Sequence, residues 1–405
     1  MLLEDLEMNR KIFLSSLMGI CLLLCLFVPV SAETTDPSSA AGWPAAPENA
    51  AGAGILMESS TGTVVYAKNA DGQIDPSGAV KIMTTLVALE NGQLEDQITI
   101  NELGVNQVAS ANINIGSQNG EVFTLEQCLY AVMLASANDS AVQAAAHIGG
   151  GTVEPFVEMM NAKAQELGCT DTVFTNPTGI SDGSQHTTPH DMALILRAAF
   201  QNETFRTMAS ATAYTIPATN VAAERQLTNN YPLLPVSGSA PYEGSLGGKY
   251  SAGAILAGAA EKDGTTLICV LSADASDSAD AAALFNYGFE NFQPLSVSDS
   301  LSTVSGGTVF VPAGVTADAL TAQETPLDDG TVSCQYLYEN VPVGTAVLDE
   351  MNDSPGFSAS DHEQALEEAR QYSSDKSPLP YAGIAAAGVL LFGLLIFLIR
   401  KVAKS

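Results

Sequence analysis

Apolar positions along the chain follow the two periods that distinguish strands from helices. Alternation on both sides of Ser60-Thr61-Gly62 predicts a β-hairpin in residues 54–69, and the apolar run 267–271 predicts a buried strand. Segments with the helical period are 76–90, 124–146 with a break near Ser136, 153–167, 188–200 and 281–289. Strands that flank several helices predict a layered α/β (α+β) domain, which we place at residues 52–291.

The pattern changes after this domain. Residues 292–350 alternate without a helical period, and we predict a small all-β domain there. Residues 33–51 are rich in Ala, Ser, Thr and Pro and predict a flexible lead-in. Residues 351–380 are polar and end in a proline-containing stretch, so we interpret them as a stalk.

An apolar run lies near the N-terminus. In residues 1–32 the basic pair Arg10-Lys11 precedes an uncharged apolar stretch that ends in Val30-Ser31-Ala32. A basic start, an apolar centre and small residues at a cleavage site are typical of a secretory signal peptide. We therefore expect the chain that follows to be exported.

A second apolar run lies near the C-terminus. Residues 381–399 carry no charge. They would form about 28 Å of helix, which is enough to cross a bilayer core. Arg400, Lys401 and Lys404 follow, which predicts that residues 400–405 are cytoplasmic. The expected localisation is the cell membrane, with a single C-terminal transmembrane anchor and an extracytoplasmic body.

The charge balance restricts the partners that the protein can bind. The chain has 15 Lys and Arg residues against 45 Asp and Glu residues, which gives a net charge of −30. Such a surface repels phosphate backbones, so we predict no nucleic-acid partner. Apolar residues make up 46% of the chain, which is enough for a sizeable core rather than a disordered acidic chain.

The cysteines outside the predicted signal peptide are scattered along the chain. They are Cys128, Cys169, Cys269 and Cys334, and no two of them form a Cys-x-x-Cys pair. This spacing does not predict a zinc site, and it leaves disulfide pairing open. We interpret them as small buried hydrophobic residues.

Several short motifs combine hydroxyl, amide and amine side chains. They are Ser77-Gly78-Ala79-Val80-Lys81, Ser136-Ala137-Asn138, Asn176-Pro177-Thr178-Gly179 and the stretch 214–220, YTIPATN. In this order and spacing they resemble the motifs of D-alanyl-D-alanine carboxypeptidases, the low-molecular-mass penicillin-binding proteins. The resemblance covers residues 52–291.

The resemblance implies a fold and a reaction. The fold is β-lactamase/transpeptidase-like, an antiparallel sheet flanked by helices. In these serine peptidases the serine of Ser-x-x-Lys is acylated by a peptide ending in D-Ala-D-Ala, the serine of Ser-x-Asn relays a proton, and Lys-Thr-Gly binds the substrate carboxylate. The implied ligands are peptidoglycan stem peptides and β-lactams, with neither a metal nor a cofactor. By position, Lys81, Ser136 and Asn138 are the candidate catalytic residues.

The chain departs from this pattern at the nucleophile. Gly78 stands three residues before Lys81 and offers no side-chain oxygen. Ser77 lies one position further back, and a shift of one residue turns a side chain by about 100° around a helix axis. Residues four apart are nevertheless neighbours on a helix. Ser77 is therefore either a shifted nucleophile or an ordinary N-cap after Pro76.

The Lys-Thr-Gly position is altered as well. Counting back from Ala252-Gly253 places Ser245-Leu246-Gly247 there, and anchoring on Gly244 instead places Leu246-Gly247-Gly248 there. Neither alternative contains a lysine. Lys249 could supply the missing cation only if the following turn is several residues shorter, and otherwise it is a solvated loop lysine.

These changes leave two functions open. The first is a catalytically impaired homologue, a pseudoenzyme that binds stem peptides or an envelope partner. The second is an active carboxypeptidase that trims stem pentapeptides with Ser77 as its nucleophile. Gly78 and the altered Lys-Thr-Gly position favour the first, because they remove the atom that forms the covalent bond and the anion-binding group.

The predicted topology can be tested on intact cells. Residues 33 to about 380 should be outside and Arg400-Lys401 inside, because a cleaved signal is followed by one span with basic residues behind it. External protease should therefore remove the body and spare an epitope tag at the C-terminus. Digestion of the tag while the body stays protected would contradict this topology.

Overall fold

The computed structural model describes residues 36–37, 40–110, 113–229, 231, 233, 245–246, 255–272, 277–297, 306–327 and 331–349. The predicted signal peptide, stalk, transmembrane helix and tail (1–32, 351–380, 381–399 and 400–405) lie outside the described residues. None of the described helices is long and apolar enough to span a membrane.

Strands and helices are numbered here in chain order. The strands are β1 (Ala53–Glu58), β2 (Val64–Lys68), β3 (Gln97–Thr99), β4 (Val122–Thr124), β5 (Ala213–Ile216), β6 (Arg225–Thr228), β7 (Ser245–Leu246), β8 (Leu256–Lys262), β9 (Thr265–Ser272), β10 (Phe292–Ser296), β11 (Thr308–Pro312), β12 (Leu320–Pro326), β13 (Thr331–Tyr338) and β14 (Val341–Asp349). The helices are α1 (Val80–Asn91), α2 (Glu102–Ala109), α3 (Leu125–Ala135), α4 (Asn138–Ile148), α5 (Glu154–Glu166), α6 (Pro189–Gln201), α7 (Glu203–Ser210) and α8 (Asp277–Asn291). Short 3-10 turns lie at Ser77–Ala79 and Ala317–Ala319.

The central sheet is antiparallel and has the strand order β2-β1-β9-β8-β7. Alternate residues of β9 belong to two different buried clusters. Ile268 and Val270 pack in the cluster that contains α6, whereas Leu267, Cys269 and Leu271 pack in the cluster that contains α8. Both faces of β9 are therefore covered, which explains its continuous apolar run. The predicted strand and the antiparallel sheet with flanking helices are confirmed.

Helix α1 lies in the middle of the helical layer. It packs against α3, α4, α5, α6 and α7, and its buried residues run without interruption from Val80 to Ala88. A helix that is enclosed on all sides has no solvent face. Lys81, in the first turn of α1, is therefore forced into the interior.

The predicted break in the helix at 124–146 is confirmed. Helix α3 ends at Ala135, its C-cap Ser136 has a left-handed φ of 54°, and α4 begins at Asn138. Thr124 starts α3 with a capping box, in which its side chain accepts from Gln127 N and its own N–H donates to the Gln127 side chain. The helix predicted from 76 begins instead with a 3-10 turn, and α1 proper starts at Val80.

The lead-in prediction is wrong for the described residues from 40 onward. Trp43 is 7% exposed, its indole Nε1 donates to Val65 O at 3.0 Å, and its ring centroid lies 5.2 Å from that of Phe292. Tyr287 Oη donates to Pro44 O at 2.8 Å. The composition of this segment is that of a linker, but one aromatic side chain with a buried acceptor is sufficient to fix it to the core.

The strands after α8 pack on the central sheet. β10 pairs with β11, and β12, β13 and β14 form a three-stranded antiparallel sheet. Their buried side chains, among them Phe310, Tyr336 and Val343, belong to the same cluster as the α8 side of the central sheet. Thr63 Oγ1 also donates to Val343 O at 2.6 Å. A separate β domain at 292–350 stays a prediction, since these strands share their core with the first domain.

Cys128, Cys169, Cys269 and Cys334 are buried and form no disulfide. Burial raises the pKa of the Cys128 and Cys269 thiols far above the ordinary value. The four residues pack as small hydrophobic side chains, as the sequence predicts.

Removing the Trp43 side chain should destabilise the protein. Trp43→Ala deletes a buried ring and its hydrogen bond, so the free energy of unfolding should fall by about 3–5 kcal/mol. Urea unfolding measures this change, and Val347→Ala, at a residue that is 62% exposed, is the control that should have little effect. A Trp43→Ala curve that coincides with the control would show that this segment is only loosely attached.

Candidate active site

Lys81 is the buried cation of the candidate site. Its side chain is 2% exposed, and its ammonium group donates a hydrogen bond of 2.5 Å to Thr178 O. Among the described residues this carbonyl is its one acceptor, although an ammonium group has three donors. Burial lowers the pKa of Lys81 from 10.5 to about 7. The amine is therefore partly neutral near neutral pH and able to accept a proton.

The loop that receives Lys81 is shaped by the side chain of Asn176. Its Oδ1 accepts from Thr178 N at 3.1 Å and Gly179 N at 2.9 Å, and its Nδ2 donates to Ile180 O at 2.9 Å. An asparagine that bonds to backbone groups two and three residues ahead fixes a tight turn. From the other side, Thr84 Oγ1 on α1 donates to Pro177 O at 2.8 Å.

Gly179 brings this loop against the first motif. Its φ is 79°, and a Cβ atom at this position would lie 1.8 Å from Ser77 O and 3.1 Å from Gly78 N. Only glycine allows both the left-handed backbone and this close approach. The loop is therefore packed directly on the Ser77–Gly78 peptide.

Ser77 and Gly78 form the start of the 3-10 turn before α1. Ser77 has a φ of 44°, and its N–H donates to Asp75 Oδ1 at 2.8 Å. Neither Pro76, which caps this turn, nor Ala79, which caps α1, makes a side-chain capping bond. The N-cap interpretation of Ser77 is therefore wrong. Left-handed backbone at a residue other than glycine costs on the order of 1 kcal/mol and is common at functional sites.

The second motif lies at the break between α3 and α4. Ser136 is half-buried at the left-handed position, and Asn138 is 5% exposed. Asn138 N donates to Ile113 O at 2.8 Å, while its side-chain Oδ1 is buried with no hydrogen-bond partner among the described residues. An unsatisfied buried amide oxygen is costly in a folded protein.

The stretch predicted from the sequence to replace Lys-Thr-Gly lies partly within the described residues. Ser245 and Leu246 form β7, the strand at the end of the central sheet, where they pair with Ala260 and Ala259. Gly247 and Lys249, the other candidates for substrate binding, lie outside the described residues.

Some supporting residues were not predicted from the sequence. Asp139 follows the second motif, is completely buried and accepts hydrogen bonds from Ile115 N and Ser117 N. Thr84 and Thr178 hold Lys81 and its loop together. Their only sequence signal is that they adjoin the motifs or, for Thr178, belong to one, since hydrogen bonds between distant segments leave no periodic pattern.

Comparison with known proteins decides the family. The family model described as D-alanyl-D-alanine carboxypeptidase matches residues 40–275. The chain belongs to this family. The match includes the Lys81, Ser136 and Asn176 motifs and β7, so the resemblance predicted from these residues is confirmed.

Individual relatives agree with this assignment. A D-alanyl-D-alanine carboxypeptidase of a Streptomyces species is 32% identical over 266 residues, which cover 60% of this chain and 88% of the relative. DacB2 of Mycobacterium tuberculosis, another carboxypeptidase, is 30% identical and covers 60% of this chain and 84% of the relative. The crystal structure of a Streptomyces DD-transpeptidase superposes with a TM-score of 0.56 at 32% identity, covering 60% of this chain and 99% of that one. The chain is thus a homologue of serine carboxypeptidases of peptidoglycan metabolism, with their mixed α/β fold.

The burial of Lys81 predicts a pH dependence of stability. In the folded protein Lys81 releases its proton near pH 7, whereas in the unfolded chain it keeps the proton to about pH 10.5. Between these values the unfolded chain binds more protons, so the free energy of unfolding rises with pH. Relative to Lys81→Met, the wild type should gain about 1 kcal/mol per pH unit above neutrality.

Urea unfolding of both proteins from slightly acidic to alkaline pH measures this difference. The difference should be constant below neutral pH, where Lys81 is protonated in both states, and should change only above it. A difference that stays constant throughout would contradict a pKa lowered by burial.

Proposed function

We propose that this protein is a membrane-anchored, extracytoplasmic member of the family that binds peptidoglycan stem peptides without forming an acyl-enzyme. The observation that carries this proposal is Gly78, which stands three residues before Lys81, where the family's Ser-x-x-Lys pattern has its nucleophile. The family match supports the class of ligand, and the altered position supports the loss of chemistry.

The loss concerns a single step of the reaction. Acyl transfer needs an oxygen nucleophile next to a base that removes its proton. Lys81 is available as the base, but Gly78 has no oxygen to activate. Removing the nucleophile from such a unit lowers turnover by several orders of magnitude. For any hydrolysis, a water molecule activated by Lys81 would have to attack the peptide directly, without a covalent intermediate.

Groups suited to holding a peptide are retained. Asn138 Oδ1 is a buried acceptor without a partner in the described part of the chain, and a peptide N–H would satisfy it. Ser136 occupies the same turn, and β7 is a sheet edge to which an extended peptide can add. Ser245 and Leu246 provide no cation for the terminal carboxylate, so we expect weak affinity for free peptides.

A second candidate function rests on the backbone of Ser77. Its left-handed φ of 44° is a strained conformation next to the vacated position, and strain of this kind occurs where a side chain is aimed at a substrate. In this alternative Ser77 is the shifted nucleophile of an active carboxypeptidase, with Lys81 as its base.

The membrane anchor is part of the proposal. The apolar run 381–399 with basic residues behind it, and the signal-like residues 1–32, support export with a C-terminal anchor. An extracytoplasmic body would face the cell wall, where peptides ending in D-Ala-D-Ala occur.

Covalent labelling by penicillin separates the two functions. Intact-mass spectrometry of the full-length protein after incubation with penicillin should show no adduct, because Gly78 has no nucleophilic atom. Gly78→Ser is the matched gain-of-function variant. It should acylate slowly, since the loss of a charge-assisted contact to a carboxylate costs roughly 2–5 kcal/mol, or about 30- to 4,000-fold in rate.

Two outcomes would overturn the non-catalytic proposal. The first is a stoichiometric penicilloyl adduct on the wild type that disappears in Ser77→Ala, which would establish the shifted nucleophile. The second is release of D-Ala from a stem pentapeptide at a rate that Lys81→Met abolishes. Acylation of Gly78→Ser as fast as in active relatives would show that another cation already binds the carboxylate.

A further inference from the structure

An ion pair between the buried Glu121 and the partly buried Arg225 adjoins the segment that contacts the Ser136–Asn138 turn. Glu121 is completely buried, and its carboxylate accepts hydrogen bonds from Arg225 Nη1 at 2.7 Å and Nη2 at 2.9 Å. Thr219 Oγ1 donates to the same carboxylate at 2.7 Å, and the guanidinium group lies 5.5 Å from the centroid of the Phe123 ring. A bidentate pair with a ring against the guanidinium group has one geometry, so the remaining donors of Arg225 are fixed in direction.

Those remaining donors hold the backbone of residues 113–117. Arg225 Nε donates to Ile115 O at 3.0 Å, and Nη2 also donates to Gly116 O at 3.3 Å. The guanidinium group thus joins the buried carboxylate to the carbonyl groups of this segment. Lysine has one compact ammonium group and cannot reproduce this fork, the planar set of donors in which Nε, Nη1 and Nη2 reach the carboxylate and two carbonyl groups at once.

The opposite side of residues 113–117 holds the second motif. Ile115 N and Ser117 N donate to the Asp139 carboxylate at 3.2 Å and 3.1 Å. Asn138 N donates to Ile113 O at 2.8 Å. The segment therefore offers two carbonyl groups to Arg225, and it offers one carbonyl group to Asn138 and two amide groups to the neighbouring Asp139.

The hairpin that carries Arg225 is tied to the same region. Asn220 Nδ2 donates to Gly120 O at 2.8 Å, and its Oδ1 accepts from Val122 N at 2.9 Å. Thr219 and Asn220 belong to the stretch 214–220, whose sequence carries part of the family resemblance. The Thr219 side chain thus joins the turn between β5 and β6 to Glu121, and the Asn220 side chain joins it to Gly120 and Val122, the residues on either side of Glu121.

We propose that Arg225, held by Glu121, is a positioning residue for the ligand cleft. Its hydrogen bonds keep residues 113–117 in contact with Asp139, and this contact sets the orientation of the Asn138 amide. This inference rests on the proposed function, since the orientation of Asn138 matters only if that amide contacts a ligand. Arg225 itself contacts no reacting atom, and its effect passes through the backbone of residues 113–117.

Arg197 offers a matched control. Its Nε donates to Ser59 O at 2.6 Å and its Nη2 to Ser60 O at 2.8 Å, so it also fixes a turn through two carbonyl groups. That turn joins β1 to β2, and none of these bonds involves residues 113–117. Arg225→Lys and Arg197→Lys both keep the charge and lose the fork, whereas Arg225→Ala would leave Glu121 buried without a counter-charge.

The experiment combines hydrogen–deuterium exchange of the full-length protein with binding of a diacetyl-L-Lys-D-Ala-D-Ala tripeptide. Arg225→Lys should increase amide exchange at residues 113–117 and 138–139 by about tenfold or more, the factor that one hydrogen bond to a charged group provides. It should also weaken tripeptide binding several-fold. Arg197→Lys should increase exchange only near residues 59–63 and leave binding unchanged.

The outcomes separate this inference from the proposed function. Unchanged exchange at Asn138 in Arg225→Lys overturns the inference, as does unchanged binding despite faster exchange. An equal loss of binding in Arg197→Lys also overturns it, because the effect would then be general destabilisation. If the wild type binds no tripeptide, the proposed function fails, and faster exchange confined to residues 113–117 and 138–139 still supports the positioning of Asn138 by Arg225.

Discussion

The burial of a single lysine organises this site. An isolated ammonium group in a protein interior is costly, and Lys81 has one carbonyl acceptor, Thr178 O, within the described residues. The cost is reduced because the group can lose its proton near neutral pH. That carbonyl is placed by the Asn176–Gly179 turn, which the Asn176 side chain holds together. The turn is attached to α1 by the hydrogen bond from Thr84 to Pro177 O. The position of Lys81 thus depends on contacts between segments almost a hundred residues apart.

Much of this arrangement could be predicted from local pattern. The period of α1, the break at Ser136 and the continuous run of β9 each record how a segment is buried, and burial leaves a periodic trace. The loop at Asn176 could be predicted for a different reason, since asparagine, proline and glycine restrict the backbone by themselves. These are the features in which sequence neighbours determine structure.

The remainder depends on contacts that leave no such trace. Trp43 is packed although its neighbours in the sequence have the composition of a linker, because its indole N–H donates to the buried carbonyl of Val65. The pairing of Glu121 with Arg225 joins residues about a hundred positions apart, and neither shows a distinctive local pattern. The left-handed backbone of Ser77 is imposed by its neighbours, since serine has no preference for it.

The altered positions differ in kind from the retained ones. By its distance from Lys81, Gly78 falls where the family's pattern has a reacting atom, and we propose that Ser245–Leu246 fall where it has a charge, whereas Gly179, Asn176 and Asn138 shape the backbone or offer neutral hydrogen bonds. Neutral hydrogen bonds and shape are sufficient to recognise a peptide, but they do not lower the barrier of acyl transfer, which requires stabilisation of developing charge. A cleft with this distribution of changes would keep selective binding while losing turnover. Under the proposed function, the buried acceptor at Asn138 is a recognition group, and its orientation matters more than any proton transfer near it.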